Sequence, residues 1–289
     1  MNNKPPTVKL RALLSQPNIL IVPACFDALS ARLVERAGFS ATFMSGFGVS
    51  ATRLGAPDTG LISYGEIVNQ GRDICAAVSI PVMGDGDTGY GNVLNVKRTV
   101  QGYAVAGFAA VMIEDQVWPK RCGHTKGKQV VDRTEAFARI RAAVDAREAG
   151  ADILIIARTD ARATHGLAEA IERAQRFVEL GADINFVEAP QSIEEMHAYC
   201  EAVSGVKMAN MLEGGKTPFL APAQLQAIGY GMVAYPLTLL NRAIHAMQHA
   251  LETLGTEHHP EPLLSFEDIK EIVGFNDYYA EEKRYTESD

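Results

Sequence analysis

Four carboxylates stand in two short stretches of the chain, Asp85 and Asp87 in one, Glu114 and Asp115 in the other. Sharing one space they would repel unless a divalent cation neutralised them, and oxygen-only ligands point to Mg²⁺, with Mn²⁺ as a substitute. Taken singly, any one of these acids could equally cap a helix. The cluster is much harder to explain that way. Arg158 adds a planar fork that matches a carboxylate bidentately, and the amides of SGFG, beginning at Ser45, would complete an anion pocket beside the metal. A second concentration is the stretch 118–128, WPKRCGHTKGK. There Lys120, Arg121 and His124 are close enough to Cys122 in sequence to favour its thiolate, the form that makes a cysteine useful as acid, base or nucleophile. Gly123 and Gly127 would let the segment hinge over a substrate. A plain surface loop is the alternative, and zinc is disfavoured because Cys122 and His124 lack a second ligand pair. Cys25, Cys75 and Cys200 read as core packing.

These groups need a scaffold that gathers them. Eight short apolar runs, at 19–22, 41–44, 80–83, 109–113, 153–157, 184–187, 206–209 and 232–234, are nearly continuous in hydrophobicity, as suits strands of a parallel sheet covered on both faces. Helical spacing fills the gaps; in one, Asp27 is placed to cap a helix running to Arg36. The punctuation AGFSATF, AGFAAVMI, AGADILII, LGADINFV and, less closely, IGYGMVA repeats a helix end, a glycine and a strand. Eight such βα units close a (β/α)₈ TIM barrel, whereas a doubly wound sheet more often has five or six strands. Barrel active sites form at the C-terminal strand ends. Those ends carry Ser45-Gly46, Asp85-Gly86-Asp87, Glu114-Asp115, Arg158-Thr159-Asp160, Glu188, Asn210 and Tyr235-Pro236. A single domain over 1–289 is expected, with 242–289 a helical extension for packing or assembly: a long helix to Leu254, a polar break at GTEHHPEP and a last helical segment from Phe266.

Composition narrows the function. Of 289 residues 47% are hydrophobic and 21% charged, and 35 acidic against 27 basic side chains leave a net charge of −8, an ordinary soluble globular balance. A small disulfide-stapled module is excluded. No apolar run approaches the roughly 20 residues needed to span a bilayer, and MNNKPPTVKL lacks the apolar core of a secretory signal; a cytoplasmic location with reduced thiols is expected. The acidic balance opposes nucleic-acid binding. DGDTGYGN lacks the Gly-Lys-Ser/Thr ending of a phosphate loop, so nucleotide binding is rejected.

Taken together, SGFGVSA, DGDTGYG, IEDQVWPKRCGH, ARTDAR, VEAP and ANMLEGGKTP resemble the isocitrate lyase/phosphoenolpyruvate mutase superfamily, in unbroken order from about residue 10 to 250. The Lys-Arg-Cys-Gly-His segment matches its lyase signature. The resemblance implies a (β/α)₈ barrel, a required Mg²⁺, 2-hydroxy or 2-oxo dicarboxylate substrates, and a homotetramer whose C-terminal helices exchange between subunits. It also implies roles. Asp85 would ligate the metal directly, Asp87 and Glu114 would hold metal-bound waters, and Asp58 would lie nearby. Ser45, Gly46 and Phe47 would bind the substrate carboxylate and oxygen, and Arg158 its metal-chelating end. Gly123, His124, Glu188 and Asn210 would line the other end. Cys122, with His124, Arg158 and Glu188 about it, would be the general acid.

Within the superfamily, SGFGVSA, EDQVWPK and NMLEGGKTP resemble the branch that cleaves 2-alkylmalates, the 2,3-dimethylmalate lyases and petal-death proteins. Methylisocitrate and isocitrate lyases generally carry Tyr where Phe43 stands and Arg-Pro where Thr125-Lys126 stand, and Phe47 replaces a glycine. Oxaloacetate hydrolases carry Ser at the position of Pro236. A carboxyphosphonoenolpyruvate mutase remains as the rival of a different class, with methylisocitrate lyase and oxaloacetate decarboxylation or hydrolysis as nearer alternatives. The expected reaction is carbon–carbon cleavage of a tertiary 2-hydroxyacid to a 2-oxoacid, pyruvate when the substituent is methyl, and a carboxylate enolate protonated at carbon by Cys122.

Overall fold

In the computed structural model, which describes residues 4–123, 127–256 and 259–286, the repeated glycine joints all adopt the left-handed backbone the sequence repeat implies. Gly38, Gly107, Gly150, Gly181 and Gly229 have φ between 87° and 116°, a region open to glycine at little cost. Each joint stops a helix and turns the chain into a strand. The strands are β1 (Leu20–Cys25), β2 (Thr42–Met44), β3 (Val82–Asp85), β4 (Ala110–Glu114), β5 (Leu154–Thr159), β6 (Ile184–Val187), β7 (Val206–Asn210) and β8 (Met232–Tyr235). They form a closed barrel in chain order. Every pairing is parallel, and β8 returns to β1 with Leu20 opposite Met232. The expected eight-stranded barrel is the observed fold.

The helices are α1 (Pro6–Leu14), α2 (Ala28–Arg36), α3 (Gly46–Val49), α4 (Tyr64–Ala77), α5 (Val93–Ala106), α6 (Arg133–Glu148), α7 (Ala161–His165), α8 (Leu167–Glu179), α9 (Ile193–Ala202), α10 (Pro222–Ile228), α11 (Thr238–Leu254), α12 (Phe266–Val273) and α13 (Phe275–Thr286). Asp27 caps α2 as its position suggested, its carboxylate accepting from the Ser30 amide at 2.7 Å. Two features were not foreseen. Helix α1 places Leu10 among the barrel's interior residues at its N-terminal end, and α3 runs on into a π-helical turn, Ser50–Leu54.

The interior of the barrel is filled from alternate positions, as strand pleating requires. Phe43, Met83, Ala110, Met112, Leu154, Ile156, Ile184, Phe186, Met208, Met232 and Ala234 belong to one inner cluster. Their neighbours Val111, Ile113, Ile155 and Ala157 belong to the layer between strands and helices. Two residues beyond the last inner position of each strand from β2 to β8 stand Ser45, Asp85, Glu114, Arg158, Glu188, Asn210 and Pro236. Period two therefore delivers all seven to the C-terminal mouth.

The chain separates into two compact units, Met1–Leu239 and Leu240–Asp289. The second comprises most of α11 with α12 and α13, the last two separated at Gly274, φ 92°. Helix α11 begins four residues earlier than expected, and the last helical segment is two helices. No residue of α12 or α13 is buried. Among the described residues no helix is long and apolar enough to cross a membrane.

Candidate active site

A compact cavity of about 70 Å³ opens at the mouth, and its walls include Ser45, Phe47, Asp58, Asp85, Arg158, Glu188 and Asn210. Lys120, Arg121, Cys122 and Gly123 line it as well, so the basic loop after β4 reaches the strand ends. Phe43, Met112, Phe186, Met208, Leu212 and Pro236 supply an apolar wall. His124 lies outside the described residues.

Arg158 is the hub. Its Nε donates to Asp160 Oδ2 at 2.8 Å and lies 3.2 Å from Glu114 Oε2, while Nη2 lies 3.1 Å from Glu188 Oε2. Asp160 is gripped on its other side by Lys128 Nζ at 2.6 Å. Burial opposes ionisation of Asp160, yet Arg158 and Lys128 together hold its pKa well below the ordinary carboxylate value. For Glu114 the balance is reversed. Burial pushes its carboxyl well above the usual range despite Arg158, and its Oε1 has no hydrogen-bond partner among the described residues.

Lys120 takes a place its sequence context did not announce. Its Nζ lies between Asp58 Oδ1 at 2.6 Å and Asp87 Oδ1 at 2.7 Å, all three side chains buried. Burial works against the ammonium, but Asp87 and Asp58 outweigh it and hold the pKa well above that of an ordinary lysine. Its charge balances the acidic cluster. Asp85 and Asp87 both titrate above the normal range, chiefly through burial, Asp85 also through the charge of Asp87. The Asp87 amide donates to Asp85 Oδ1 at 3.0 Å, and Asp87 is held at φ 47°, a strained backbone of the kind found at functional sites.

Two glycines make room for these carboxylates. A Cβ on Gly46 would stand 2.5 Å from Asp85 Oδ2, and one on Gly123 would stand 2.5 Å from Glu188 Oε2 and 2.7 Å from Arg158 Nη2. The backbone of 46 thus abuts Asp85, and that of 123 passes directly over the Arg158–Glu188 pair. Ser45 caps α3, its Oγ accepting from the Gly48 amide at 3.1 Å.

Asp115 does not join the mouth. Next to Glu114, it has the opposite pleat parity and faces the helix layer, where it accepts from Thr159 Oγ1 (2.6 Å), the Asp160 amide (2.9 Å) and Arg173 Nη1 of α8 (2.9 Å). The expectation of four carboxylates from β3 and β4 in one space is corrected to three. Reading alternate residues rather than adjacent ones would have separated it. The ion pairs of Lys120 and Lys128 had no local signal, because their partners lie 32 to 62 positions away in the chain.

Whether these residues suit a cation follows from their charges. Asp58, Asp85, Asp87, Glu114, Asp160 and Glu188 face the buried Lys120, Lys128 and Arg158 and the more exposed Arg121, six acids against four bases, and a surplus of anions is what a divalent ion would relieve. Among the described residues no three His, Cys, Asp or Glu side chains converge as a ready ligand set, since Lys120 holds Asp58 and Asp87. Mg²⁺ keeps several waters and uses one or two direct carboxylates, and Asp85 and Glu114, neither of them paired with Lys120, are the donors it would take.

Comparison with known proteins agrees with this architecture. Residues 10–254 match the phosphoenolpyruvate phosphomutase family. The 2,3-dimethylmalate lyase of Eubacterium barkeri is 41% identical over 96% of this chain and 97% of its own. The chloroplastic carboxyvinyl-carboxyphosphonate phosphorylmutase of Arabidopsis thaliana is 40% identical over 97% and 86%. Solved structures of an oxaloacetate acetylhydrolase with 3,3-difluorooxalacetate (32% identity, 98% of both chains) and of 2,3-dimethylmalate lyase (34%, 98% and 96%) both superpose with a TM-score of 0.93. A phosphonopyruvate hydrolase solved with oxalate and Mg²⁺ superposes at 0.87, with 29% identity over 98% and 99%. The chain belongs to the phosphoenolpyruvate mutase family. It is an enzyme, a carbon–carbon lyase of the phosphoenolpyruvate mutase/isocitrate lyase superfamily.

Proposed function

We propose that the substrate is a 2-alkylmalate of the 2,3-dimethylmalate type, cleaved to pyruvate or another 2-oxoacid and a carboxylate. The observation that carries this reading is the meeting of Cys122 with Asp85, Arg158, Glu188 and Asn210 around one cavity. The Gly46 and Phe47 amides at the start of α3 offer hydrogen bonds to the hydroxyacid end, and Arg158 offers its guanidinium to the same carboxylate. Glu188, Asn210 and Gly123 surround the opposite end. Asp85, with Glu114 through water, would hold Mg²⁺, which when bound supplies Lewis-acid stabilisation to the oxygen that becomes the new carbonyl.

Transfer of the hydroxyl proton to a general base lets the adjacent carbon–carbon bond break. Its electron pair passes to the departing carboxylate as an enolate, and the Cys122 thiol gives its proton to the α-carbon. The hydroxyl proton later restores the Cys122 thiol, so the cycle closes without net gain or loss of protons. The loop backbone above Arg158 and Glu188 keeps bulk water from that carbon. The apolar wall of Phe43, Phe186, Met208, Leu212 and Pro236 suits an alkyl substituent, and Pro236 has no hydroxyl to offer where the hydrolases of the superfamily carry one.

A homotetramer with exchanged C-terminal helices is part of the same proposal. Two features support it: an apolar groove outside the barrel lined by Ile21, Leu33, Phe39, Tyr235 and Leu239, and the exposed Leu263, Leu264, Phe266, Ile269 and Val273 of the second unit.

The experiment couples pyruvate release to lactate dehydrogenase across 2,3-dimethylmalate, other 2-alkylmalates, methylisocitrate, isocitrate and oxaloacetate, with and without EDTA. A carboxyphosphonate is followed in parallel by phosphorus NMR. Highest kcat/KM on a 2-alkylmalate, abolished by EDTA and restored by Mg²⁺, is expected. Turnover of the phosphonate alone would move the protein to the mutases, and full activity after chelation would remove the metal.

A further inference from the structure

The loop that brings Cys122 to the mouth is anchored by the side chain of Gln116. After β4 ends at Glu114, the chain forms a short antiparallel stem with the segment that leads into α6. Gln116 pairs with Val130, the Val117 amide donates to Gln129 O at 2.9 Å, and the Val131 amide donates to Asp115 O at 2.9 Å. Arg139 of α6, itself buried, fixes the near strand of this stem, its Nη1 donating to Gln116 O at 2.7 Å and Glu114 O at 3.2 Å. The Gln116 backbone is therefore held from two sides before its side chain is considered.

That side chain is 1% exposed and turns into the loop. Gln116 Nε2 donates to the carbonyl of Arg121 at 2.8 Å, and the Arg121 amide donates to Gln116 Oε1 at 3.0 Å. A carboxamide presents a donor and an acceptor side by side, as a peptide unit does, so Gln116 serves Arg121 as a neighbouring strand would. Both polar groups of one peptide residue are satisfied by one side chain. On the N-terminal side Lys120 is anchored to Asp58 and Asp87. On the C-terminal side come Cys122 and then Gly123, whose backbone lies against Glu188 and Arg158. Arg121 is the last residue before the thiol, and its backbone direction sets where Cys122 enters the cavity.

We propose that Gln116 is a positioning residue whose carboxamide fixes the Arg121 backbone and thereby holds Cys122 over the barrel mouth. The kinetic consequence rests on the lyase reading above; the structural one does not. Without the carboxamide the loop keeps its Lys120 anchor and its stem, so the fold survives, while the Arg121 backbone loses the two hydrogen bonds that fix its direction into Cys122. Misplacement of a reacting group by about 1 Å costs on the order of a hundredfold in rate. Substrate binding is affected less, because Ser45, Arg158 and Asn210 are held independently of Gln116 and Gly123 is, among the described residues, the one expected substrate-lining residue that the loop carries.

The test compares wild type with Gln116→Met, equal in length but without hydrogen bonds, and Gln116→Asn, polar but too short to reach both groups of Arg121. Amide hydrogen exchange, melting temperature, and kcat and KM for pyruvate release from 2,3-dimethylmalate are measured on the full-length protein with Mg²⁺. Expected in both variants are faster exchange confined to 117–123, melting lowered by no more than about 4 °C, and kcat reduced about 10- to 100-fold with KM within about threefold. Should the methionine variant fail to fold, the asparagine variant decides. Unchanged exchange at Arg121 and Cys122 would overturn the proposal, as would faster exchange with kcat intact, or a loss of kcat that merely follows exchange over the whole barrel. If the wild type releases no pyruvate from any substrate, the lyase reading falls. Exchange at 121–122 then decides the anchor alone, acceleration supporting it and no change overturning it.

Discussion

At Gly123 one absent carbon keeps the loop and the barrel mouth in contact. A methyl group there would meet Glu188 and Arg158 inside van der Waals distance, and neither can withdraw, since Arg158 is tied to Asp160 and Glu114. Gly123→Ala is accordingly expected to lift the loop, lowering kcat/KM about a hundredfold or more with the melting temperature nearly unchanged, as steady-state kinetics and calorimetry would measure. The other cysteines give a second residue-scale expectation. Burial pushes the thiols of Cys25 and Cys75 to about 12 and that of Cys200 to about 11, so almost none is thiolate at pH 8. Iodoacetamide at that pH should label Cys122 first and abolish activity with a single equivalent, which peptide mass spectrometry would show. Cys122 and Gly123 stood out in the sequence by their basic, glycine-punctuated setting. Gln116 did not, and Lys120 was read as a cation beside the thiol rather than as the partner of Asp58 and Asp87, because those partners are brought near only by folding.

Among the elements, the alternation of strand residues explains both what the sequence made legible and what it concealed. Eight apolar runs and a repeated glycine stop were enough to define the barrel, and the one to three residues after seven of the runs pointed to its mouth. Pleating then sorts neighbours to opposite faces, which is why Glu114 faces the cavity and Asp115 the helix layer. That second layer is itself tied by charge. Glu169 of α8 accepts from Arg133 of α6 at 3.0 Å and from Arg173 at 2.7 Å. Hydrogen bonding from Arg133 first, then from Arg173, outweighs burial and holds the Glu169 carboxyl down to about 2. Because this folded value lies below the unfolded one near 4.3, the latch's stability is fully present above that pH and is lost as pH falls toward 2. Glu169→Gln should lower stability at pH 7 by about 1 kcal/mol, solvent at Arg133 screening the rest. In urea titrations the difference from wild type should be equal at pH 7 and 5.5 and smaller at pH 3.

On the scale of the whole molecule the acidic net charge and the exposed apolar side chains of the second unit belong together. A net charge of −8 opposes non-specific association, while Leu263, Leu264 and Phe266 are exposed at 60 to 75%, and such a surface is what subunit association would cover. The proposed tetramer predicts a mass near 125 kDa, four times 31.2 kDa, by light scattering. Truncation before Leu240 should shift the population toward smaller species. Assembly was implied in the sequence by resemblance alone, for no local pattern tells which copy of a chain a helix will pack upon. The central claim concerns a proton. Pyruvate release from 2,3-dimethylmalate by Cys122→Ala, with Mg²⁺ present and folding verified by calorimetry, tests it most directly. The account predicts turnover reduced by about 10²- to 10⁴-fold, the range of a lost general acid; turnover within about threefold of wild type would contradict it.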